Sequence, residues 1–155
     1  MSAKKVIRSF KYAIEGVTFA LKTQLNMRIH CLVAIIVTLL GFYLNLAIVE
    51  WAVLLFSMTL VITMELMNTA IEKTIDLITD EYHELAKIAK NVAAAAVLFS
   101  ALNAVVVGFL IFHNKIGKLV SPFLGVGSIM EVVLVMLLGV GVVLLVVKLV
   151  INGGE

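Results

Sequence analysis

The sequence predicts an all-α membrane protein: an N-terminal interfacial amphipathic helix, three core transmembrane helices and a further, fourth one. Three observations predict it. The 155 residues are 63% apolar and only 14% charged, with a mean hydropathy of +1.16. An ordinary domain is about half apolar and a quarter charged, and a soluble fold of this size could not hide so much apolar surface. Long uncharged runs alternate with short charged clusters. The first 30 residues differ from the rest, with six basic residues against one acid. This composition excludes a soluble enzyme, a disordered chain, a disulfide scaffold and a cysteine-built zinc module, since Cys31 is the single cysteine.

The first element is two-faced. Lys4, Arg8, Lys11, Glu15, Thr18 and Lys22 alternate at helical spacing with Val6, Phe10, Ile14, Val17, Leu21 and Leu25. A basic face opposite an apolar face fits a helix over 3–28 lying in the membrane interface. The spans follow from counting against the roughly 20 apolar residues a bilayer requires. They are predicted at 31–49, 51–76 and 91–112, with a fourth at 129–151 that begins near Glu131 and ends near Lys148. The core then covers 1–112 and a C-terminal extension covers 113–155. A signal peptide at 31–49 is excluded by its length and by the 30 residues before it. Lysine and arginine counts in short connections put the N-terminus and the 72–90 segment on the cytoplasmic side. The expected location is the cell inner membrane.

The most informative stretch is 65–76. On a helix, Glu65, Asn68, Glu72 and Asp76 share one narrow face, while the remaining faces are Leu, Met, Ile, Ala and Thr. The bland reading, a solvated helix end, suits Asp76. It suits Glu65 poorly, because 14 uncharged residues precede it. An ionisable side chain within a span costs about 2.5–3.5 kcal/mol or more and usually faces a bundle interior. Clustered carboxylates can bind a hard cation such as Mg²⁺, or one of them can accept a proton. Phosphoryl transfer to an alcohol uses both. Downstream, Glu81-Tyr82-His83-Glu84 precedes Lys87 and Lys90, one turn apart, where they could meet phosphates or simply anchor the span. Ala93–Ala96 permits close helix packing. A proton or ion pathway along the stripe would need polar residues on the facing spans, and those offer almost none.

The motif Glu-Leu-Met-Asn-Thr-Ala-Ile-Glu-x-x-Ile-Asp at 65–76, Glu-Tyr-His at 81–83 and Ala-Lys-Ile-Ala-Lys-Asn-Val-Ala-Ala-Ala-Ala-Val-Leu at 86–98 resemble the small prokaryotic integral-membrane diacylglycerol kinase family, which includes the undecaprenol kinases of Gram-positive bacteria. Arg8–Gly16 and Asn26–His30 look closer to the undecaprenol kinase branch. The resemblance covers about 4–112. It implies a homotrimer with sites shared between subunits, with ATP- and Mg²⁺-dependent phosphorylation of a lipid alcohol at the cytoplasmic face. Undecaprenol is the first expected substrate and diacylglycerol the second; no nucleic-acid partner is expected. By position, Glu65 would be the base and Glu72 a metal ligand, with Asn68 and Asp76 organising the site. Tyr12, Glu81, Tyr82, His83 and Lys90 would contact the nucleotide.

Two positions depart from the family pattern. Gln24 stands where the family has a second metal-ligand glutamate. Asn91 replaces the aspartate of its Ala-Lys-Asp motif, beside the nucleotide. An amide oxygen can coordinate Mg²⁺ but brings no charge. The rival expectation is therefore a catalytically weakened or non-catalytic relative. The extension at 113–155 lies outside the three-span core and suggests no activity of its own.

Overall fold

The computed structural model describes residues 3–79, 81–124 and 141. They form four helices: α1 (Ala3–Thr23), α2 (Leu25–Tyr43), α3 (Ile48–Ile78) and α4 (Glu84–Leu124). Three of them are long and apolar enough to cross a membrane, and no strand occurs among the described residues. The fourth span expected at 129–151 lies outside the described residues.

Most of α1 is uncovered: every side chain from Lys4 to Phe19 is exposed, apolar and charged alike, and the helix meets the others at its C-terminal end, where Ala20 is buried. An apolar face left open this way requires a membrane interface to cover it. The helix ends at Thr23 rather than running to 28. Gln24 takes an extended backbone, with φ −105° and ψ 117°, and α2 starts at Leu25. The sequence changes character at this point. A two-faced helix lies along a membrane and an all-apolar one crosses it, so an unbroken helix could not do both. The first span is accordingly Leu25–Tyr43, about six residues earlier than the charge gap suggests.

The elbow between α2 and α3 is built from specific residues. Asn45 adopts φ 50°, the left-handed conformation. Its amide donates to the Phe42 carbonyl and the Leu46 amide donates to the Gly41 carbonyl, both at 3.2 Å. This is the paired closure that ends a helix with a left-handed residue, and asparagine tolerates it better than most side chains. Glu50 then caps α3, accepting from the Ala47 amide at 2.6 Å. Gly41 lets Trp51 lie against α2: a Cβ there would sit 2.9 Å from the indole Cη2. Leu46, Leu54 and Phe112 are buried together beside Val37, Leu40, Met58 and Ile111, which ties the three crossing helices at this end.

α3 and α4 are an antiparallel pair fastened by an ion pair at each end. Asp76 meets Lys90 at 2.7 Å, and Glu50 meets Lys115 at 3.0 Å. Along either helix the two bridges are about 38 Å apart at 1.5 Å per residue, wider than the roughly 30 Å hydrocarbon layer. The charged stretch at 72–90 is therefore mostly helix. α3 runs to Ile78 and α4 resumes at Glu84, beyond the predicted ends of 51–76 and before the predicted start of 91–112. α4 also continues to Leu124, past the predicted end at 112 and into the expected C-terminal extension. Lys115 on Glu50, and Ile116 against the core beside Ile111, hold that continuation.

α2, at 19 residues, is about 28 Å long and matches the hydrocarbon layer; α3, at 31 residues, is about 46 Å. The tight elbow pins the start of α3 at one membrane surface. The excess therefore emerges at the other surface, beyond about residue 68.

Candidate functional site: a carboxylate stripe at the emerging end of α3

Where α1, α2 and α3 come together, the chain buries polar groups. Glu65 is 1% exposed, and Asn68 and Thr69 are also buried. Ala20 of α1 and Met27 of α2 are buried as completely. The local cause is α3 itself: positions 65, 68, 69 and 72 recur on one side, continuing the buried row of Leu54, Ser57 and Val61. The hydroxyls in this row close onto their own helix, Ser57 to the Leu54 carbonyl at 3.0 Å and Thr69 to the Glu65 carbonyl at 2.9 Å. The acid and the amide do not. Glu65 Oε2 and Asn68 Oδ1 are buried without a hydrogen-bond partner among the described residues. Groups of this kind are costly to leave unpaired and mark places where a missing partner belongs.

Glu72 lies one turn further along and organises its neighbours. Asn68 Nδ2 donates to Glu72 Oε1 at 2.9 Å. Gln24 Nε2, arriving from the α1–α2 break, donates to Glu72 Oε2 at 3.4 Å. The extended backbone at Gln24 thus has a second consequence, since it turns that side chain toward α3. Gln24, Asn68 and Glu72 form one connected group, with Glu65 directly below it on the same helix face.

Asp76 belongs to a different group. Its carboxylate binds Lys73 and Lys90, each at 2.7 Å, one on either oxygen. All three side chains are substantially exposed. The stripe therefore divides in two: a buried half of Glu65, Asn68 and Glu72, and a solvated half of Asp76 with its two lysines. Lys73 is a participant the motif reading passed over, although its position three residues before Asp76 was a usable signal.

The other anticipated residues are dispersed. Tyr12 is exposed on α1. Glu81, Tyr82 and His83 form the short α3–α4 connection, where the Glu81 amide donates to Thr79 Oγ1 at 3.1 Å and the Lys87 amide to the His83 carbonyl at 3.0 Å. Lys87 Nζ stands 6.0 Å from the Tyr82 ring centre, a cation–π contact. Asn91 is exposed one residue beyond Lys90. Lys87 and Lys90 share the mouth of α4 without sharing a partner.

Chemically, the buried half is a set of oxygen donors around a single committed carboxylate. Among the described residues no three His, Cys, Asp or Glu side chains converge as a metal-binding group. The set does not amount to an all-protein cage. It does fit the way Mg²⁺ is commonly held beside a nucleotide, through one or two carboxylates with phosphate oxygens and water completing the shell. Glu72 supplies the charge, and the unpaired Asn68 Oδ1 is a buried oxygen open to a cation or a donor.

The family profile described as Prokaryotic diacylglycerol kinase matches residues 11–112. The chain is 39% identical over 112 residues to an undecaprenol kinase of Bacillus subtilis, across 72% of this chain and 91% of that protein. It is 46% identical over 107 residues to a diacylglycerol kinase of Synechocystis, across 68% and 61% respectively. A diacylglycerol kinase of Escherichia coli is 27% identical over 113 residues, across 73% and 93%. The profile spans α1 from Lys11, the whole carboxylate stripe and α4 up to Phe112. The chain belongs to the prokaryotic diacylglycerol kinase family.

Proposed function

We propose that this protein transfers the terminal phosphoryl group of ATP to the hydroxyl of a membrane lipid, undecaprenol before diacylglycerol. The observation that carries the proposal is the Oε2 of Glu65, buried two turns below Glu72 and without a hydrogen-bond partner among the described residues. It is a carboxylate oxygen without a donor at the depth where α3 leaves the hydrocarbon layer. A lipid alcohol anchored by its tail brings a hydroxyl to that level. The preference for undecaprenol rests on the likeness of Arg8–Gly16 and Asn26–His30 to the undecaprenol kinase branch; the overall identities, 39% to an undecaprenol kinase and 46% to a diacylglycerol kinase, keep diacylglycerol as the second substrate.

In this reading Glu65 accepts the hydroxyl proton as the alcohol oxygen forms its bond to the terminal phosphorus. The bond from that phosphorus to the bridging oxygen breaks, and ADP leaves. Bound through Glu72 with the amide oxygens of Gln24 and Asn68, Mg²⁺ would neutralise phosphate oxygens. Asn68 orients Glu72 through its 2.9 Å hydrogen bond. Lys90, released from Asp76 or sharing it, meets phosphate oxygens, and Asp76 sets where Lys73 and Lys90 point. Glu81, Tyr82, His83 and Asn91 approach the nucleotide from the connection above, and Tyr12 from α1. The N-terminus and the 79–83 connection are cytoplasmic, the membrane is the cell inner membrane, and the chain assembles as a homotrimer.

The test is phosphorylation of undecaprenol and of diacylglycerol, side by side, by purified protein in mixed micelles with ATP and Mg²⁺. Turnover of undecaprenol above diacylglycerol is expected, with loss on chelation. Equal or reversed rates would reassign the substrate. A second reading, a relative that keeps the fold but not the chemistry, is favoured by one observation: the Gln24 amide puts a neutral donor on Glu72, where the family carries a carboxylate. That reading expects no turnover of either lipid until Gln24→Glu and Asn91→Asp are introduced together.

A further inference from the structure

α4 carries an exposed row at positions 92, 96, 99, 103, 106 and 110: Val92, Ala96, Phe99, Asn103, Val106 and Leu110. The spacing alternates four and three, the repeat of a helix that packs along another helix. Five of the six are apolar and could equally face lipid. Asn103 could not do so cheaply. Matching α4 to α3 through the two ion pairs puts Asn103 level with Thr63, about 7 Å inside the hydrocarbon layer. Its side chain is too short to reach the interface, it is exposed, and it makes no hydrogen bond within the described residues. A carboxamide at that depth calls for a partner from another helix.

The chain offers one at the same depth. Thr63 is also exposed, on the side of α3 facing away from its buried row, and its hydroxyl has no hydrogen bond among the described residues. Thr59, one turn earlier on that face, is the same, whereas Thr38, Thr69 and Thr74 return their hydroxyls to the carbonyl four residues earlier. Around Thr63 the exposed α3 face alternates small residues, Ala52, Thr59 and Ala70, with the larger Phe56 and Met67, a ridged surface into which another helix can interdigitate. The α4 row adds Phe99 and Leu110. The C-terminal run 132–147 cannot supply the missing partner, because it contains no side chain with a nitrogen or oxygen atom.

We infer that the Asn103 face of α4 packs against the Thr63 face of α3 in a second copy of this chain, with Asn103 hydrogen-bonded to the threonine of its neighbour. Copies related by rotation about the membrane normal keep every residue at its own depth, so groups at equal depth meet. Two different faces joined in this way form a head-to-tail contact, which closes into a ring. The inference rests on the self-assembly stated above and names the surfaces that build it.

The experiment uses full-length protein with Cys31→Ala. Asn103→Cys and Thr63→Cys are carried on separate, differently tagged copies, co-expressed in membranes and oxidised. A disulfide-linked product bearing both tags is expected, with neither variant forming such a product alone. A product from Asn103→Cys alone would make α4 meet α4 and overturn the assignment of faces while leaving the oligomer standing. A chain that sediments as a monomer, without cross-linking, would overturn both. As a second readout, Asn103→Leu is expected to lower self-association in detergent at least tenfold, and the exchange Thr63→Asn with Asn103→Thr to restore it. An unchanged association in Asn103→Leu would overturn the hydrogen bond.

Discussion

Gln24 and Glu72, 48 residues apart in the chain, meet through a 3.4 Å contact between amide nitrogen and carboxylate oxygen. The contact exists because α1 breaks at residue 24 and aims that side chain at α3. It also makes a sharp prediction. Gln24→Glu would bring two carboxylates together, which is unfavourable alone and favourable around a cation. With Asn91→Asp added, tighter Mg²⁺ dependence is expected, read as at least a severalfold lower Mg²⁺ concentration for half-maximal turnover. An unchanged requirement would detach these two positions from the metal.

Glu65→Gln keeps the shape of a fully buried side chain while removing the ability to take a proton. Turnover is expected to fall by about 10²–10⁴-fold, the usual span for a positioned acid or base. Helical content and the thermal transition should change little. They can be followed by circular dichroism on the same preparation as the assay; a fully active variant would end the role of Glu65 as the base.

The Asp76–Lys90 pair separates function from stability. Both side chains are about 40% exposed, and surface pairs contribute only about 0–1 kcal/mol. Lys90→Met should therefore leave the unfolding temperature within a few degrees of the parent. The same variant should lose at least tenfold in kcat/KM for the nucleotide. A large thermal shift with normal kinetics would make Lys90 an anchor and nothing more.

At the opposite end, Gly41→Ala forces a methyl group to within 2.9 Å of the Trp51 ring and 3.0 Å of Leu46 Cδ1. An indole held in a packed elbow has little room to retreat, so a loss of about 1–3 kcal/mol is expected. Unfolding in detergent measures it. Glu50→Ala should cost stability as well, through both the Ala47 cap and the Lys115 bridge, and by more than Lys115→Ala, which removes the bridge alone.

Much of the architecture was legible because charge is so expensive in hydrocarbon that its gaps trace the spans. The helix ends were less so. The span read from the charge pattern began at Trp51 and closed at Asp76, yet a helix does not stop where the membrane does, and α3 runs from Ile48 to Ile78. The break at Gln24 had no glycine or proline to announce it. Its cause is a change in surroundings between α1 and α2, which only the longer pattern on either side reveals. In the site, helical spacing alone gathered Glu65, Asn68 and Glu72 on one face. It could not bring Gln24 beside them, since that proximity depends on how three helices meet. Nor could spacing say that Asp76 also takes Lys90, which arrives from α4.

The overhang of α3 past the shorter α2 has one more consequence. The two reactants of the proposed transfer never dissolve in the same medium. One stays in oil and drifts laterally; the other is a polyanion that stays in water. A single straight helix carries an acid in each phase, Glu65 on the oily side and Asp76 on the wet one, about 16 Å apart along one rod. Few parts are then needed to bring such unlike molecules together, which suits a chain with so few helices to spend.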